Sequence, residues 1–382
     1  MKILIDAINI REGGGLTYLS NFLKHINCKK NKNIQVTLYT SHSASLFLPK
    51  RQWINIVSQQ IFDLPFPARF LYQQLYLARI ISKDNYDILF SPGGTIPFIC
   101  KIPVVTMSQN LLPFENQEAS LFGFLNVMYF KMILLRFIQG ESFKKASGVI
   151  FLSKYAIKII ENSISQKIKT KALIPHGVDR NFFLPPKPQR NINKYSFNKP
   201  FKIIYTSAVM PYKHQLEVLD AVYSLRVKGY PLTITIIGKP WKKYYNKVYS
   251  FAKKIDPNAE YIKFINHIPN KKLPSVHNKF DAAIFASSCE NLPIILLESM
   301  ASGLPIVSSS LGPMKEILGS GGLYFNPYSS KSIQLVLEKF LLSSSVRFKL
   351  ASLSYKMAGE YSWSENSENT LQFFKKTINE KN

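Results

Sequence analysis

Cysteine is scarce in this sequence: Cys28, Cys100 and Cys289 are the only three in 382 residues, odd in number and far apart. They offer neither a disulfide framework nor metal-ligand spacing, which suits a reducing compartment. Acidic side chains are also few, with 23 Asp and Glu against 49 Lys and Arg. No Asp-x-Asp motif occurs, so no catalytic metal is expected. The opening run MKILIDAINI is strand-like and shows no signal-peptide pattern. Short-period repeats and long low-complexity tracts are missing as well.

What is present is a globular composition, 46% hydrophobic and 19% charged, in a chain long enough for two domains with separate cores. The net charge is +26. So basic a surface favours anionic partners: nucleic acid, acidic lipid headgroups or phosphorylated metabolites. A composition rich in Lys, Asn and Ile accounts for part of it.

Short β-rich runs alternate with helical stretches along the chain, the grammar of βαβ units and parallel sheet. KILIDAINI, IQVTLYT, YDILFSP, PVVTMSQ, GVIFLS and KALIPH are the strands of a first half. A stretch rich in Pro, Asn and Lys follows, and the grammar restarts with FKIIYTSA, LTITIIG, YIKFIN, DAAIFAS and PIVSSS. The expected fold is therefore α/β, two doubly wound domains facing across a cleft. The expected boundaries are 1–180, a linker at 181–199, a second domain at 200–362 and a terminal helix at 363–382 packing back on the first. Ligand is expected where the carboxyl ends of the strands open into the cleft.

Within CENLPIILLESMASGLPIVSS, Glu290 and Glu298 flank seven residues that are almost wholly apolar. Glu290 falls in the loop after a buried strand. Pro293 fits the first helical position, Gly303 the C-terminal cap, and Glu298 the second turn. Helical side chains lean toward the N-terminus, so both carboxylates reach toward the helix start, where free N–H groups attract phosphate. A diphosphate with sugar hydroxyls beside it suits that arrangement. Taken singly, each glutamate also reads as a helix-dipole charge or a solvated side chain. A second cue is the triplet Gly13-Gly14-Gly15 after the first strand, where a backbone can approach an anion closely or simply turn tightly.

The string CENLPIILLESMASGLPIVSSSLGPMKEILGSGGLYFNP resembles the signature of retaining nucleotide-sugar glycosyltransferases of the two-Rossmann-domain GT-B fold, and within them family 4. MKILIDAINIREGGGLTYLSNFL, GVIFLSKYAI, IPHGVDRNFF and YTSAVMPYKHQLEVLDAV follow the same order and spacing. The resemblance implies Glu290 against the donor sugar, Glu298 on the ribose, and the main chain of Asn291 and Leu292 facing sugar and diphosphate. It makes Lys213 the cation that neutralises the leaving diphosphate and places Gly14 and Gly15 at the donor. His176-Gly177 matches the domain-junction motif, with His176 at least as readily structural as ligand-contacting.

Two departures stand out. Ala208 occupies the position of an arginine common in the family, so one diphosphate cation is absent or supplied elsewhere, with Lys239 a candidate. Where many relatives carry a histidine near the acceptor, this chain offers Ser108, Gln109 or Asn110. The resemblance thus implies a metal-independent hexosyltransferase with no cofactor, using a nucleotide-diphosphate sugar. The acceptor would be a polyprenyl-diphosphate-linked saccharide in O-antigen or capsule synthesis. Other readings are a soluble-acceptor GT-B transferase, a nucleotide-sugar 2-epimerase, or a basic protein binding nucleic acid or another polyanion. Clusters such as KPWKKYYNK read better as a solvated face, so no nucleic acid is expected. His214, His267 and His277 show no ligand spacing and read as surface or packing residues.

Residues 121–146 form a helix candidate whose apolar run is interrupted by Lys131 and Arg136. It is either buried core or a helix lying at a bilayer surface, with PFPARFLYQQLYLARIISK as a second aromatic, basic surface. The second alternative predicts a cytoplasmic enzyme held peripherally on the inner face of the cell membrane, against anionic lipid.

Overall fold

Among the described residues, runs of β-branched and aliphatic residues form thirteen strands, and every pair of these strands is parallel. The computed structural model describes residues 1–381, and the chain divides into two units. The first comprises residues 1–116, 125–177 and 362–382; the second comprises 117–124 and 178–361.

In the first unit, β1 (Lys2–Asp6), β2 (Gln35–Tyr39), β3 (Ile54–Val57), β4 (Ile88–Ser91), β5 (Val104–Met107), β6 (Gly148–Phe151) and β7 (Lys171–Leu173) lie in the order β3-β2-β1-β4-β5-β6-β7. The central strands are buried on both faces, as a parallel sheet sandwiched by helices requires. The final helix, Trp363–Lys381, belongs to this unit. Its Phe374 ring lies 4.9 Å from Phe90 and 6.4 Å from Phe22, and Ser367 donates to the Phe22 carbonyl at 2.9 Å.

In the second unit, β8 (Phe201–Thr206), β9 (Leu232–Ile237), β10 (Ile262–Ile265), β11 (Ala282–Phe285), β12 (Ile306–Ser309) and β13 (Gly322–Phe325) lie in the order β10-β9-β8-β11-β12-β13. Each sheet reverses its winding once, between β1 and β4 and between β8 and β11. At such a switch point the two loops leaving the strands diverge and open a crevice at the carboxyl ends.

Residues 181–199 do not form a free linker; they are packed into the second unit. Phe182 and Ile192 are buried, and the wholly buried Arg347 guanidinium donates to the Arg190 carbonyl and, at 3.2 Å, to Gln189 Oε1. One crossing between units falls at Gly177. A Cβ there would stand 2.1 Å from the Trp363 nitrogen, so only glycine fits where the chain leaves and re-enters the first unit. His176 beside it is buried between Tyr18 and Trp363, with ring centroids 5.1 and 5.5 Å away. Burial pushes its imidazole down to about 3, so the ring is a neutral packing element.

Candidate active site

The second unit's switch point is built from two turns. After β8, residues Pro211–Lys213 form a single tight turn, and His214 adopts the left-handed conformation (φ 51°) before the helix Gln215–Val227. After β11, residues 286–293 lead into the helix Ile294–Ala301, for which Pro293 is the N-cap and not the first helical residue. The turns are tied together by Ser288, whose amide donates to the Tyr212 carbonyl at 2.9 Å. That bond sets Lys213 opposite Glu290, and the two side chains form an ion pair through Nζ and Oε1.

The pair is largely desolvated, with side-chain exposures of 9% for Lys213 and 15% for Glu290. The ammonium also stands 5.1 Å from the Tyr212 ring centroid and 5.6 Å from that of Phe285. Lys213 is thus a buried cation at the carboxyl end of the sheet, not a surface lysine. Asn291 and Leu292 are buried at the helix approach.

Glu298 has a different setting. It is buried in the helix's second turn, where Asn270 Nδ2 donates to its Oε1 at 3.3 Å. Burial, reinforced by the charge of Asp179, pushes its carboxyl up to about 8 against the lowering effect of Asn270. A carboxyl in the unfolded chain ionises near 4.5. The folded value is the higher one, so the contribution of the neutral form is complete below about pH 4.5 and declines as pH rises toward 8. Urea unfolding from pH 5 to pH 8 is therefore expected to show wild-type stability falling relative to Glu298→Gln; equal slopes would refute it.

Gly238, after β9, closes the wall beside β8. A Cβ there would lie 2.0 Å from the Ser207 carbonyl oxygen. The Lys239 main chain accepts from the Val209 amide at 3.1 Å, which brings it next to Ala208, where the resemblance leads one to expect an arginine.

In the first unit, Gly13 (φ 70°) opens the helix Gly13–His25. A Cβ on Gly15 would stand 2.7 Å from Gln109 Oε1, whereas Gly14 faces open space. Gln109 and Gly15 thus meet at the carboxyl ends of β5 and β1. Ser108 is buried, and the Asn110 side chain accepts from the Leu112 amide at 3.1 Å, capping a turn.

Asn270 and Asp179 lie far from Glu298 along the chain, and no local pattern marks them; His214 is a packing residue, its ring 4.7 Å from that of Tyr328. His214 is buried, and its Nε2 lies 2.8 Å from Ser288 Oγ, one residue from each half of the site.

Residues 188–357 match the family described as glycosyl transferases group 1, a stretch wholly within the second unit. Over 382 aligned positions the sequence is 20% identical to an uncharacterized glycosyltransferase of Methanocaldococcus jannaschii, covering 95% of each chain. It is 24% identical to the O-antigen chain mannosyltransferase RfbU of Salmonella typhimurium, over 69% of this chain and 67% of that one. Among solved structures, sucrose-phosphate synthase from Thermosynechococcus elongatus superposes with a TM-score of 0.77 at 12% identity, over 98% of each chain. Anabaena HepE in complex with UDP-glucose gives 0.69 at 17% identity, over 97% of this chain and 99% of that one. The architecture of two Rossmann-like parallel-sheet units is the one these structures share, GT-B.

Proposed function

We propose that this chain, whose residues 188–357 match the family described as glycosyl transferases group 1, moves a hexosyl unit from a nucleotide-diphosphate sugar to a lipid-linked saccharide with retention at the anomeric carbon. The observation that carries the reading is the Lys213–Glu290 pair at the switch point of the second sheet. Such a crevice takes nucleotides in doubly wound folds, and a fixed cation there stabilises the charge that develops as a diphosphate departs.

In this reading the donor diphosphate displaces Glu290 from Lys213. The ammonium then neutralises the leaving phosphate, and the freed carboxylate accepts hydroxyls of the sugar. Asn291 and Leu292 present main chain at the approach to the 294–301 helix. Glu298, with Asn270 beside it, takes the ribose hydroxyls. Removing that acceptor in Glu298→Ala is expected to weaken donor binding by about 1–3 kcal/mol, read by calorimetric titration. Gln109 beside Gly15 lies on the acceptor side, together with Ser108 and Asn110. An amide is no general base, so the departing diphosphate oxygen takes the acceptor proton. The protein's own lysine supplies the positive charge, and turnover is expected to persist in excess chelator.

The name of the Salmonella relative points to a mannosyl donor and an O-antigen acceptor, hence to a polyprenyl-diphosphate carrier at the inner membrane. The test is a thermal-shift screen with UDP, GDP, dTDP and their sugars. A ligand at about 100 times its dissociation constant adds about 2.7 kcal/mol of stability. Stabilisation by one nucleotide family and hydrolysis of its sugar are expected; salt-sensitive RNA binding without either would favour a polyanion-binding protein instead.

A further inference from the structure

Residues 117–124 belong to the second unit although the chain on both sides of them belongs to the first. Two side chains fasten this short segment. Glu118 is a carboxylate only 5% exposed, and it accepts from the hydroxyls of Tyr328 and Ser288. Phe122 lies edge-on to Trp241 at 5.1 Å and 6.2 Å from the Tyr212 ring. Both anchors therefore grip residues adjoining the candidate site: Tyr212 precedes Lys213, and Ser288 lies two residues before Glu290.

The hydrogen bonds run in one direction. The Ser288 hydroxyl has a single proton, and a carboxylate is acceptor-only, so the proton goes to Glu118. With that proton on Glu118, the His214 Nε2 2.8 Å from the Ser288 oxygen is a donor, while Nδ1 lies 3.7 Å from Glu217 Oε2 and the Tyr212 carbonyl lies 3.2 Å from the same hydroxyl. His214 packs its ring 4.7 Å from Tyr328, which also donates to Glu118. Its backbone is left-handed (φ 51°), a conformation that disfavours residues with a Cβ. The side-chain network offsets that strain in the residue next to Lys213, and it ends on Glu118.

We infer that Glu118 is a positioning residue. Its carboxylate, supplied by the segment 117–124, locks the 211–214 turn to the 286–293 loop and thereby fixes Lys213 against Glu290. The inference rests on the glycosyltransferase reading for its kinetic consequence and on geometry alone for its structural one. A buried charge with two hydroxyl donors is costly to leave half-satisfied, so the site favours Glu over its amide.

The test uses the full-length chain. Glu118→Gln is expected to lower kcat at least tenfold while the donor KM changes less than about twofold; Glu118→Asp, which keeps the charge, should recover part of the loss. Labelling with 5-fluorotryptophan gives a readout that needs no turnover. The sequence has three tryptophans, Trp53, Trp241 and Trp363, and Trp241→Phe assigns the relevant line. In Glu118→Gln the Trp241 line should shift or broaden, with Trp53 and Trp363 unmoved. A natively folded Glu118→Gln protein with wild-type kcat would overturn the inference, as would an unmoved Trp241 line. Should the wild type turn over no nucleotide sugar, the reading it rests on fails by itself, and the Trp241 line still decides whether Glu118 holds the segment.

Discussion

Replacing Glu290 by Gln is expected to lower turnover by at least about a hundredfold while leaving the chain folded, since one preorganised electrostatic group is commonly worth about that much in kcat. Gln fills the same volume, so no cavity opens. What is lost is the charge. In the free protein Lys213 then has no counter-ion, and the cost in stability should stay below the roughly 3–5 kcal/mol of breaking a fully buried pair, because both side chains keep some contact with solvent. In the proposed reading the bound diphosphate replaces that counter-ion, so affinity for the bare nucleoside diphosphate should hold or rise. Affinity for the intact nucleotide sugar should not rise with it, because the acceptor for the sugar hydroxyls is weakened. Lys213→Met should reduce turnover similarly, and the double variant should lose much less than the sum of the two, as expected for groups acting as one unit. Steady-state kinetics, circular dichroism and nucleotide titration on the three variants check this. Wild-type turnover in Glu290→Gln would remove the pair from the mechanism.

The elements that sequence made legible were those whose burial is uniform. β4, β5, β6, β11 and β12 are buried along their whole length and appear as unbroken apolar runs. The edge strands β3 and β13 did not stand out. Ile54–Val57 has no buried residue, and Gly322–Phe325 has two half-exposed residues in the middle, so neither shows a clean period. The stretch 181–199 read as a linker because Pro, Asn and Lys dominate it. Its attachment depends on two apolar anchors, Phe182 and Ile192, and on an arginine more than 150 residues away. The site followed the same division. Glu290 and Glu298 were visible because they are close in sequence and their spacing follows a helix. Asn270 and Asp179 reach Glu298, and Glu118 and Tyr328 reach each other, only in the folded chain, and no local pattern marks them. His214 shows no ligand spacing and packs in the interior; its left-handed backbone and its bond to Ser288 are not visible in the sequence.

The chain is expected to sediment with acidic liposomes at low salt and to stay in solution with neutral ones. No helix among the described residues is long and apolar enough to cross a membrane. The helix Val127–Lys145 nevertheless turns an apolar stripe outward: Val127, Phe130, Leu134 and Phe137 are 81%, 58%, 53% and 69% exposed, at spacings of three, four and three. Only its other side is core, through Met132, Gln139 and Phe143. The sequence left open whether this helix is buried or lies at an interface; its outward face is apolar and uncovered. Leu125, just before it, is 95% exposed. At its far end Lys145 stands 4.7 Å from the Phe98 ring, which meets Phe70 at 6.2 Å, so the surface continues onto the helix Phe66–Tyr72 with its exposed Leu71. Exposed Lys131 and Lys144 flank the stripe. An apolar stripe with cations at its sides fits the interface of an anionic bilayer, each nearby Lys or Arg adding about 1 kcal/mol. Exchanging Phe130, Leu134 and Phe137 together for Ser removes apolar area that core packing does not use, so folding stability should change little. Binding to acidic vesicles should drop at least tenfold, and turnover with a lipid-linked acceptor should drop with it, while hydrolysis of the donor without acceptor persists. Raising salt should release the wild type from acidic vesicles, because the electrostatic part is screened within about 8–10 Å at physiological ionic strength. If the triple variant binds acidic vesicles as the wild type does, the stripe is not the contact; if the wild type ignores them at low salt, the acceptor is a soluble saccharide.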